Sequence, residues 1–190
     1  METLKKAFYS RKELNGIGIT DYRIKQMVNK NQLIKISSSY YENADYKGLI
    51  NDYNYVPMLI KNGVVCLLSA ASYYGYTTYR PLSIDVAVPQ GSNYRGQYDY
   101  PPITLHYLVA RKYNIGITTI QDDVNCFKIF SKERTVCDIL MNRTKIESEE
   151  IKNVLTGYLY DEESNLNKLY IMAEKLKCLR ILETYMEVLL

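Results

Sequence analysis

The clearest hydrophobic pattern in the first quarter of the chain lies in residues 20–30. Ile24, Met27 and Val28 recur with the i, i+3, i+4 spacing of one helical face. Thr20 precedes them and can cap the helix, because its hydroxyl can accept a backbone N–H of the first turn. The stretch therefore predicts an amphipathic helix with one buried side. The opposite side is polar and basic and carries Tyr22, Arg23, Lys25, Gln26, Asn29 and Lys30.

Two shorter helices are predicted ahead of this one. The first covers residues 4–9, where apolar side chains share one helical side. The second follows Ser10, which together with Glu13 matches a capping box: each side chain can bond the backbone N–H of the other residue. This second helix is predicted to stop at Asn15-Gly16, since glycine commonly follows the end of a helix.

A hairpin is predicted after the amphipathic helix. Residues 33–36 and 40–42 have the composition of strands, and Ser37-Ser38-Ser39 is typical of a turn. Helices, a tight turn, a further helix and a hairpin follow one another in a winged helix-turn-helix. The sequence therefore predicts a DNA-binding domain of this type in residues 1–45.

A second domain is predicted over residues 50–190, after a polar linker in residues 43–54. It is an α+β body, with strands and helices to about residue 142 and a helical tail over residues 147–190. The predicted strands are 83–88, 103–109 and 124–130. The predicted helices before the tail are 55–61, 70–74 capped by Ser69, and 131–141 capped by Ser131, and residues 90–102 are predicted to be a loop.

Arg134 and Asp138, spaced i, i+4 on one of these helices, are predicted to form a structural ion pair.

The charge distribution strengthens the DNA-binding prediction. Residues 1–40 hold eight basic and three acidic residues, a net charge of +5, within a chain of net charge +3, so the remaining residues sum to −2. A basic head on a slightly acidic body is what phosphate binding requires. We therefore predict that the head binds double-stranded DNA. The predicted DNA-binding residues are Arg11, Lys12, Thr20, Tyr22, Arg23, Lys25, Gln26, Asn29, Lys30, Lys35, Ser37 and Ser38.

Candidate chemistry elsewhere in the chain is sparse. The four cysteines form no C-x-x-C pair, and His106 is the only histidine, so neither a metal site nor a cofactor is expected. No catalytic residue is expected, and His106 is predicted to be structural or at the surface. The sequence contains no apolar run of membrane-spanning length and no secretory signal, so we expect a cytoplasmic protein.

The order of several motifs resembles the AbiEi-type antitoxins of bacterial abortive-infection toxin–antitoxin systems. In the head the resemblance rests on Gly18-Ile19-Thr20, the stripe containing Ile24, and Leu33-Ile34-Lys35-Ile36. In the body it rests on Leu68-Ser69-Ala70-Ala71-Ser72-Tyr73-Tyr74-Gly75, on Ile84-Asp85-Val86-Ala87-Val88-Pro89, and on the segment from Phe130 to Leu140 with Ser131-Lys132-Glu133-Arg134-Thr135.

The resemblance implies a repressor and antitoxin used in phage defence. The head would repress the operon by binding inverted repeats in its promoter, and the body would antagonise a nucleotidyltransferase-like toxin without forming a stable complex with it. The sequence departs from the family at the wing turn, which often carries arginines and a glycine in relatives. The serines found here can hydrogen-bond phosphate oxygens but add no charge, so Lys35 would have to supply the charge of the wing.

Three other functions stay open from the sequence. The chain could be a ligand-sensing regulator unlinked to any toxin, or an RNA-binding module that stacks bases on some of its twenty tyrosines. It could also be a nucleotidyltransferase, which needs a Gly-Ser turn followed by paired carboxylates that bind magnesium. Gly91-Ser92 is present, but the neighbouring Asp122 and Asp123 would point to opposite faces of a strand, which argues against that activity.

Overall fold

The computed structural model describes residues 4–94 and 100–189, and within these the chain is a mixed α+β protein with two sheets. The chain divides into two compact units. The first comprises the described residues up to Lys61 together with Ile120–Phe127, and the second comprises the described residues of Asn62–Thr119 and of the stretch from Lys128 onward. Residues 95–99, part of the predicted loop over residues 90–102, lie outside the described residues.

The first unit contains a three-stranded antiparallel sheet with the order β1-β3-β2 and two helices inserted between the first two strands. Its elements are β1 (Phe8–Ser10), α1 (Arg11–Gly16), α2 (Asp21–Asn29), β2 (Leu33–Lys35) and β3 (Tyr40–Asn43). A 3-10 helix over Asp52–Tyr55 and α3 (Val56–Leu59) follow. The predicted helix over residues 20–30 and the predicted hairpin are confirmed.

The helix predicted over residues 4–9 is wrong, because the second half of this segment is strand β1. Phe8, Tyr9 and Ser10 pair with Glu42, Tyr41 and Tyr40 of β3. Six residues are too few to hold a helix without strong tertiary support, and aromatic side chains favour strands. The capping box acts in the same direction, since the N-cap residue Ser10 has the extended backbone of a strand (φ −74°, ψ 154°).

The first unit also includes the segment that the sequence predicts to be a linker. Tyr55 and Met58 are buried in one apolar cluster with Ala7 and Phe8. The buried side chain of Asn54 donates hydrogen bonds to Asp122 and Asn125, each at 2.8 Å, in the turn between β7 (Ile117–Gln121) and β8 (Cys126–Phe130). These contacts place the division between units at residue 61, whereas the sequence places it between residues 45 and 50.

The second unit contains most of a five-stranded sheet with the order β6-β5-β4-β8-β7. Its remaining strands are β4 (Val64–Val65), β5 (Ile84–Pro89) and β6 (Ile103–Leu108). β5 runs parallel to β6 and antiparallel to β4, and β4 runs parallel to β8. The strands predicted over residues 83–88, 103–109 and 124–130 correspond to β5, β6 and β8. The sequence pattern does not predict β4, β7 or the short helix α5 (Ala110–Tyr113).

Helix α4 (Leu67–Tyr73) begins earlier than the sequence predicts. Ser69 is therefore not the cap but lies inside the helix, fully buried, where its hydroxyl accepts the backbone N–H of Asp85 at 2.8 Å. A tertiary partner thus replaces the capping role that local sequence suggested. The predicted end is confirmed, because Gly75 has a left-handed φ of +75°.

The helical part of the second unit agrees with the sequence. It comprises α6 (Lys132–Met141), α7 (Ser148–Tyr160), α8 (Leu166–Leu176) and α9 (Leu179–Leu189). Ser131 caps α6 by accepting the backbone N–H of Arg134 at 3.3 Å. The largest core of the described residues forms where these helices pack on one another and on α4. None of the helices in the described part of the chain has the length and apolar character that crossing a bilayer requires.

The predicted ion pair of α6 is confirmed and is almost completely buried. Arg134 Nε donates to Asp138 Oδ2 at 2.9 Å, with 1% and 9% of the two side chains exposed. Arg134 also donates from Nη1 to the carbonyl oxygens of Lys112 at 2.7 Å and Ile115 at 3.0 Å, and its guanidinium lies 4.2 Å from the centre of the Phe130 ring. Burial raises the pKa of the Asp138 carboxyl, and the charge of Arg134 opposes that rise.

Candidate nucleic-acid interface

The connection between α1 and α2 is a four-residue turn held by local hydrogen bonds. At the start of α1, the Ser10 backbone donates to Glu13 Oε2 at 2.8 Å and the Glu13 backbone donates to Ser10 Oγ at 3.1 Å, which completes the predicted capping box. At the start of α2, Thr20 Oγ1 accepts the backbone N–H of Arg23 at 3.4 Å. Gly18 supplies the left-handed backbone of the turn, with φ +82°. Residues within the turn and at the two helix starts thus determine the conformation of the connection between α1 and α2.

Helix α2 has the two-sided character that its sequence predicts. Ile24 is 2% exposed and packs with Leu14 and Leu33, while Met27 and Val28 pack at the edge of the same cluster. On the other side the ring of Tyr22 is 73% exposed. The other exposed residues of this side are Arg23, Lys25 and Asn29, with Lys30 directly after the helix.

Gln26, the central amide of the predicted surface, is half-buried and bonded to a neighbour on the same helix. Arg23 Nη1 donates to Gln26 Oε1 at 3.2 Å. This contact leaves the Gln26 amide nitrogen available as a donor and orients the guanidinium along the helix. Paired guanidinium and amide groups are suited to bidentate contacts with base edges. The structure therefore brings together two of the predicted base-contacting residues.

Arg11, predicted to contact phosphate, already has an anionic partner. Its Nε donates to Asp21 Oδ1 at 2.7 Å, and its Nη2 donates to Asp21 Oδ2. Asn15 also donates to Asp21 Oδ1 at 3.5 Å, so the first turn of α2 is tied to α1. The hydrogen bonds from Arg11 lower the pKa of the Asp21 carboxyl. The sequence does not predict this contact, which joins residues ten positions apart.

Other basic residues of the head differ in how they are engaged. Lys6 donates to Glu13 Oε1 at 3.0 Å, so part of its charge is neutralised. Lys12 and Lys25 are exposed and make no ion pair with any residue in the described part of the chain. Lys35 is exposed at the end of β2. Lys12, Lys25 and Lys35 are therefore accessible cations on the first unit.

The hairpin turn lies against the start of α1. The backbone N–H of Arg11 donates to the carbonyl oxygen of Ser39 at 2.8 Å. Within the turn, the N–H of Ser37 donates to the Tyr40 carbonyl at 3.3 Å. Ser37 is half-buried and Ser38 is exposed. The β2–β3 turn is thus fixed to the helix whose first residue is Arg11, and of its two predicted phosphate-contacting serines Ser38 is the more accessible.

A polar cluster in the second unit was not predicted. His106 Nε2 lies 2.8 Å from Asp85 Oδ1, and Ser69 Oγ donates to Asp85 Oδ2 at 3.3 Å. The carboxylate thus lies between the hydroxyl and the imidazole, whereas in a serine hydrolase the imidazole lies between the hydroxyl and the carboxylate. This cluster ties α4, β5 and β6 together. The only signal for it in the sequence is that the single histidine and Asp85 both lie on predicted strands, and the position of Ser69 beside Asp85 has no local signal, since the two residues are sixteen positions apart.

Asp122, one of the carboxylates considered for magnesium, has structural partners. Asp122 Oδ1 accepts the backbone N–H groups of Val124 and Asn125, both at 2.9 Å. Burial raises the pKa of the Asp122 carboxyl, but the hydrogen bonds from Asn54, Asn125 and Val124 outweigh burial and lower it. Asp122 thus acts as the turn residue between β7 and β8. Within residues 4–94 and 100–189, no group of three or more histidine, cysteine, aspartate or glutamate side chains is placed to hold a metal ion.

No protein-family model matches the sequence, and no curated protein sequence matches it.

Proposed function

We propose that this chain is a DNA-binding antitoxin of the AbiEi type, and that its first unit is a winged helix-turn-helix. In this proposal α2 is the recognition helix and enters the major groove, which presents a distinct donor and acceptor pattern for each base pair. The β2–β3 hairpin is the wing. Two features of the first unit support this assignment: the order of strand, two helices and hairpin, and the short turn that joins the two helices.

The observation that carries the proposal is the one-sided burial of α2. Its apolar stripe is fixed in the core by Ile24, while Tyr22, Arg23 and Lys25 project into solvent. This exposed side combines residue types that contact base edges and phosphates in protein–DNA complexes. Accessible cations at Lys12 and Lys35 would contact phosphates on either side, and the exposed hydroxyl of Ser38 would add a neutral contact.

The antitoxin part of the proposal is supported by the resemblance of the sequence motifs to those of the AbiEi-type antitoxins. The motif residues in the second unit fall on α4, β5 and α6. By this resemblance the protein represses its own operon at inverted repeats in the promoter. It also antagonises a nucleotidyltransferase-like toxin, without a stable complex between the two proteins, in the cytoplasm.

DNA binding is tested with the duplex of the protein's own promoter and fluorescence anisotropy. Wild-type protein should bind with an affinity that falls steeply as salt rises from about 50 to about 200 mM. Replacing Lys25 and Gln26 together with alanine should reduce affinity at least about tenfold, because a phosphate contact and a base contact are both lost. A matched control is Asn167→Ala with Lys168→Ala, since both residues are exposed on α8 of the second unit. Equal binding by the two double variants would exclude α2 as the recognition helix.

The antitoxin role is tested by co-expression with the neighbouring gene in the operon. Wild-type protein should restore growth when that gene arrests it, and the double variant Lys25→Ala with Gln26→Ala tests whether neutralisation needs DNA binding by the head. A chain that represses the promoter but never restores growth would favour a regulator unlinked to a toxin. Preference for single-stranded RNA over the promoter duplex in direct competition would favour the RNA-binding alternative.

A further inference from the structure

The pairing of Arg11 with Asp21 conflicts with the charge that DNA binding requires. Asp21 is an exposed anion in the first turn of α2, one turn before Lys25 of the exposed face. Arg11 and Asn15 of α1 both donate to its carboxylate, and Lys25 lies close enough for its charge to lower the Asp21 pKa. Phosphates approaching this face would meet a carboxylate among the cations, and like charges repel.

The stability of the fold does not explain this pair. The Arg11 and Asp21 side chains are 53% and 48% exposed. Ion pairs with that exposure contribute little to folding, because water and salt screen them. The pair does orient Arg11, since two of its nitrogens bond the two carboxylate oxygens. A guanidinium held in this way has the donor geometry that a phosphate group also accepts.

We infer that Asp21 holds Arg11 in the free protein, and that a phosphate of duplex DNA replaces Asp21 as the partner of Arg11 on binding. This inference rests on the proposed function of the head. Asp21 then acts as a positioning residue with two effects. It orders Arg11 before DNA arrives, and it competes with phosphate for the same guanidinium. Weak competition of this kind lowers the affinity for every duplex by the same factor. The protein is then released more readily from non-specific DNA, where no base contacts make up for the lost affinity.

The inference is tested with a double-mutant cycle on Arg11 and Asp21. The probe is a short random-sequence duplex DNA, and the readouts are affinity by fluorescence anisotropy and the slope of log affinity against log salt. Asp21→Asn keeps the size of the side chain and removes its charge. We expect about fivefold tighter binding, because the variant lacks the ion pair that competes with phosphate for Arg11, and the energy of one exposed ion pair corresponds to about that factor in affinity. Glu163→Gln, which removes the same charge from the second unit at a residue whose side chain is 82% exposed, should leave affinity unchanged.

The effect of Arg11→Ala in the two backgrounds decides between exchange and a static pair. If Arg11 transfers to phosphate, Arg11→Ala should lower the salt slope by about one unit in the wild-type background as well as in the Asp21→Asn background. If Arg11 stays on Asp21 in the complex, Arg11→Ala should leave the salt slope unchanged in the wild-type background, where Asp21 keeps its charge, and the inference is wrong. An Asp21→Asn variant that binds no more tightly than wild type would also overturn it.

Two further results separate this inference from the proposed function. If wild-type protein binds neither the random duplex nor the promoter duplex at low salt, the DNA-binding proposal itself fails. If wild-type protein binds both but the cycle shows no exchange, only the role of Asp21 fails. Circular dichroism melting of each variant checks folding, and Asp21→Ser provides a second uncharged variant should the asparagine substitution alter the turn.

Discussion

Arg134 and Asp138 form a charged pair one helical turn apart inside the second unit, and the guanidinium also donates to the backbone carbonyls of Lys112 in α5 and of Ile115 just after it. Glycine is the residue that faces this side chain: a Cβ at Gly116 would lie 2.8 Å from the Cβ of Arg134. The arginine therefore connects α6 to the end of α5 and to the residues that follow α5, and its side chain is almost completely buried. In such a site, removing one charge costs more than removing both, since a lone buried ion has no compensation.

We therefore expect Asp138→Ala to lower the free energy of unfolding by about 3–5 kcal/mol, because it leaves the guanidinium unpaired. Arg134→Met combined with Asp138→Leu should be less destabilising than that single change. Urea denaturation followed by circular dichroism measures both. Glu163→Ala is the matched control, because its exposed pair with Lys132 should contribute less than about 1 kcal/mol. Equal effects of Asp138→Ala and the control would contradict the structural role given to the buried pair.

The pH dependence of stability should depend strongly on Asp161, at the end of α7. Hydrogen bonds from Lys132 and Tyr76 lower the pKa of Asp161 from 3.8 to about 2. Because the pKa is lower in the folded state, this carboxylate stabilises the fold at pH values above the unfolded pKa. The contribution is about 2 kcal/mol at neutral pH and is lost as the pH falls through the folded pKa.

Asp161→Asn should remove that dependence. Between about pH 5 and about pH 3, the wild-type protein should lose about 1 kcal/mol more stability than the variant. Urea midpoints measured at both pH values give the comparison, with Glu162→Gln as a neighbouring control, since Glu162 is exposed and makes no ion pair with any residue in the described part of the chain. Parallel losses in wild type and Asp161→Asn would show that other carboxylates govern acid unfolding.

Packing of α7 against the segment after α4 depends on the absence of a side chain at Gly157. A Cβ there would lie 2.7 Å from the Cα of Tyr76, closer than atoms normally approach. Gly157→Ala should therefore destabilise the protein by about 1–3 kcal/mol, because backbone must move. Gly16→Ala is the control: a Cβ at that position meets nothing within 4 Å. It should be neutral or stabilising by less than about 1 kcal/mol, and a thermal melt compares the two.

The parts of the fold that the sequence predicted correctly are those with local signals. The capping box at Ser10 and the stripe containing Ile24 involve residues within one or two turns of each other, so their geometry follows from helical spacing. Ser131 capped α6 for the same reason. The misplaced start of α4 arose because Ser69 has a partner, Asp85, sixteen residues away.

The candidate interface divides in the same way. The exposed face of α2 was predicted because Tyr22, Arg23 and Lys25 lie opposite the apolar stripe on a helical wheel. The engagement of Arg11 by Asp21 was not predictable, since it depends on the angle between two helices. Strand β1 was missed because its pairing partner, β3, lies thirty residues further along the chain. Contacts of this kind have no periodicity in the sequence.

The uncharged β2–β3 turn, which is the wing in the proposed function, allows a prediction about affinity. Ser38 is exposed in the β2–β3 turn, and that turn is fixed to α1 through the bond from Arg11 N to Ser39 O. If the turn lies along the DNA backbone, Ser38→Arg should add one phosphate contact. We expect roughly fivefold to tenfold tighter duplex binding and a salt slope steeper by about 0.9. Thr144→Arg adds the same charge at an exposed turn of the second unit and should leave both values nearly unchanged. Equal gains from the two variants would mean that net charge alone attracts DNA, and unchanged binding by Ser38→Arg would place the hairpin away from the DNA backbone.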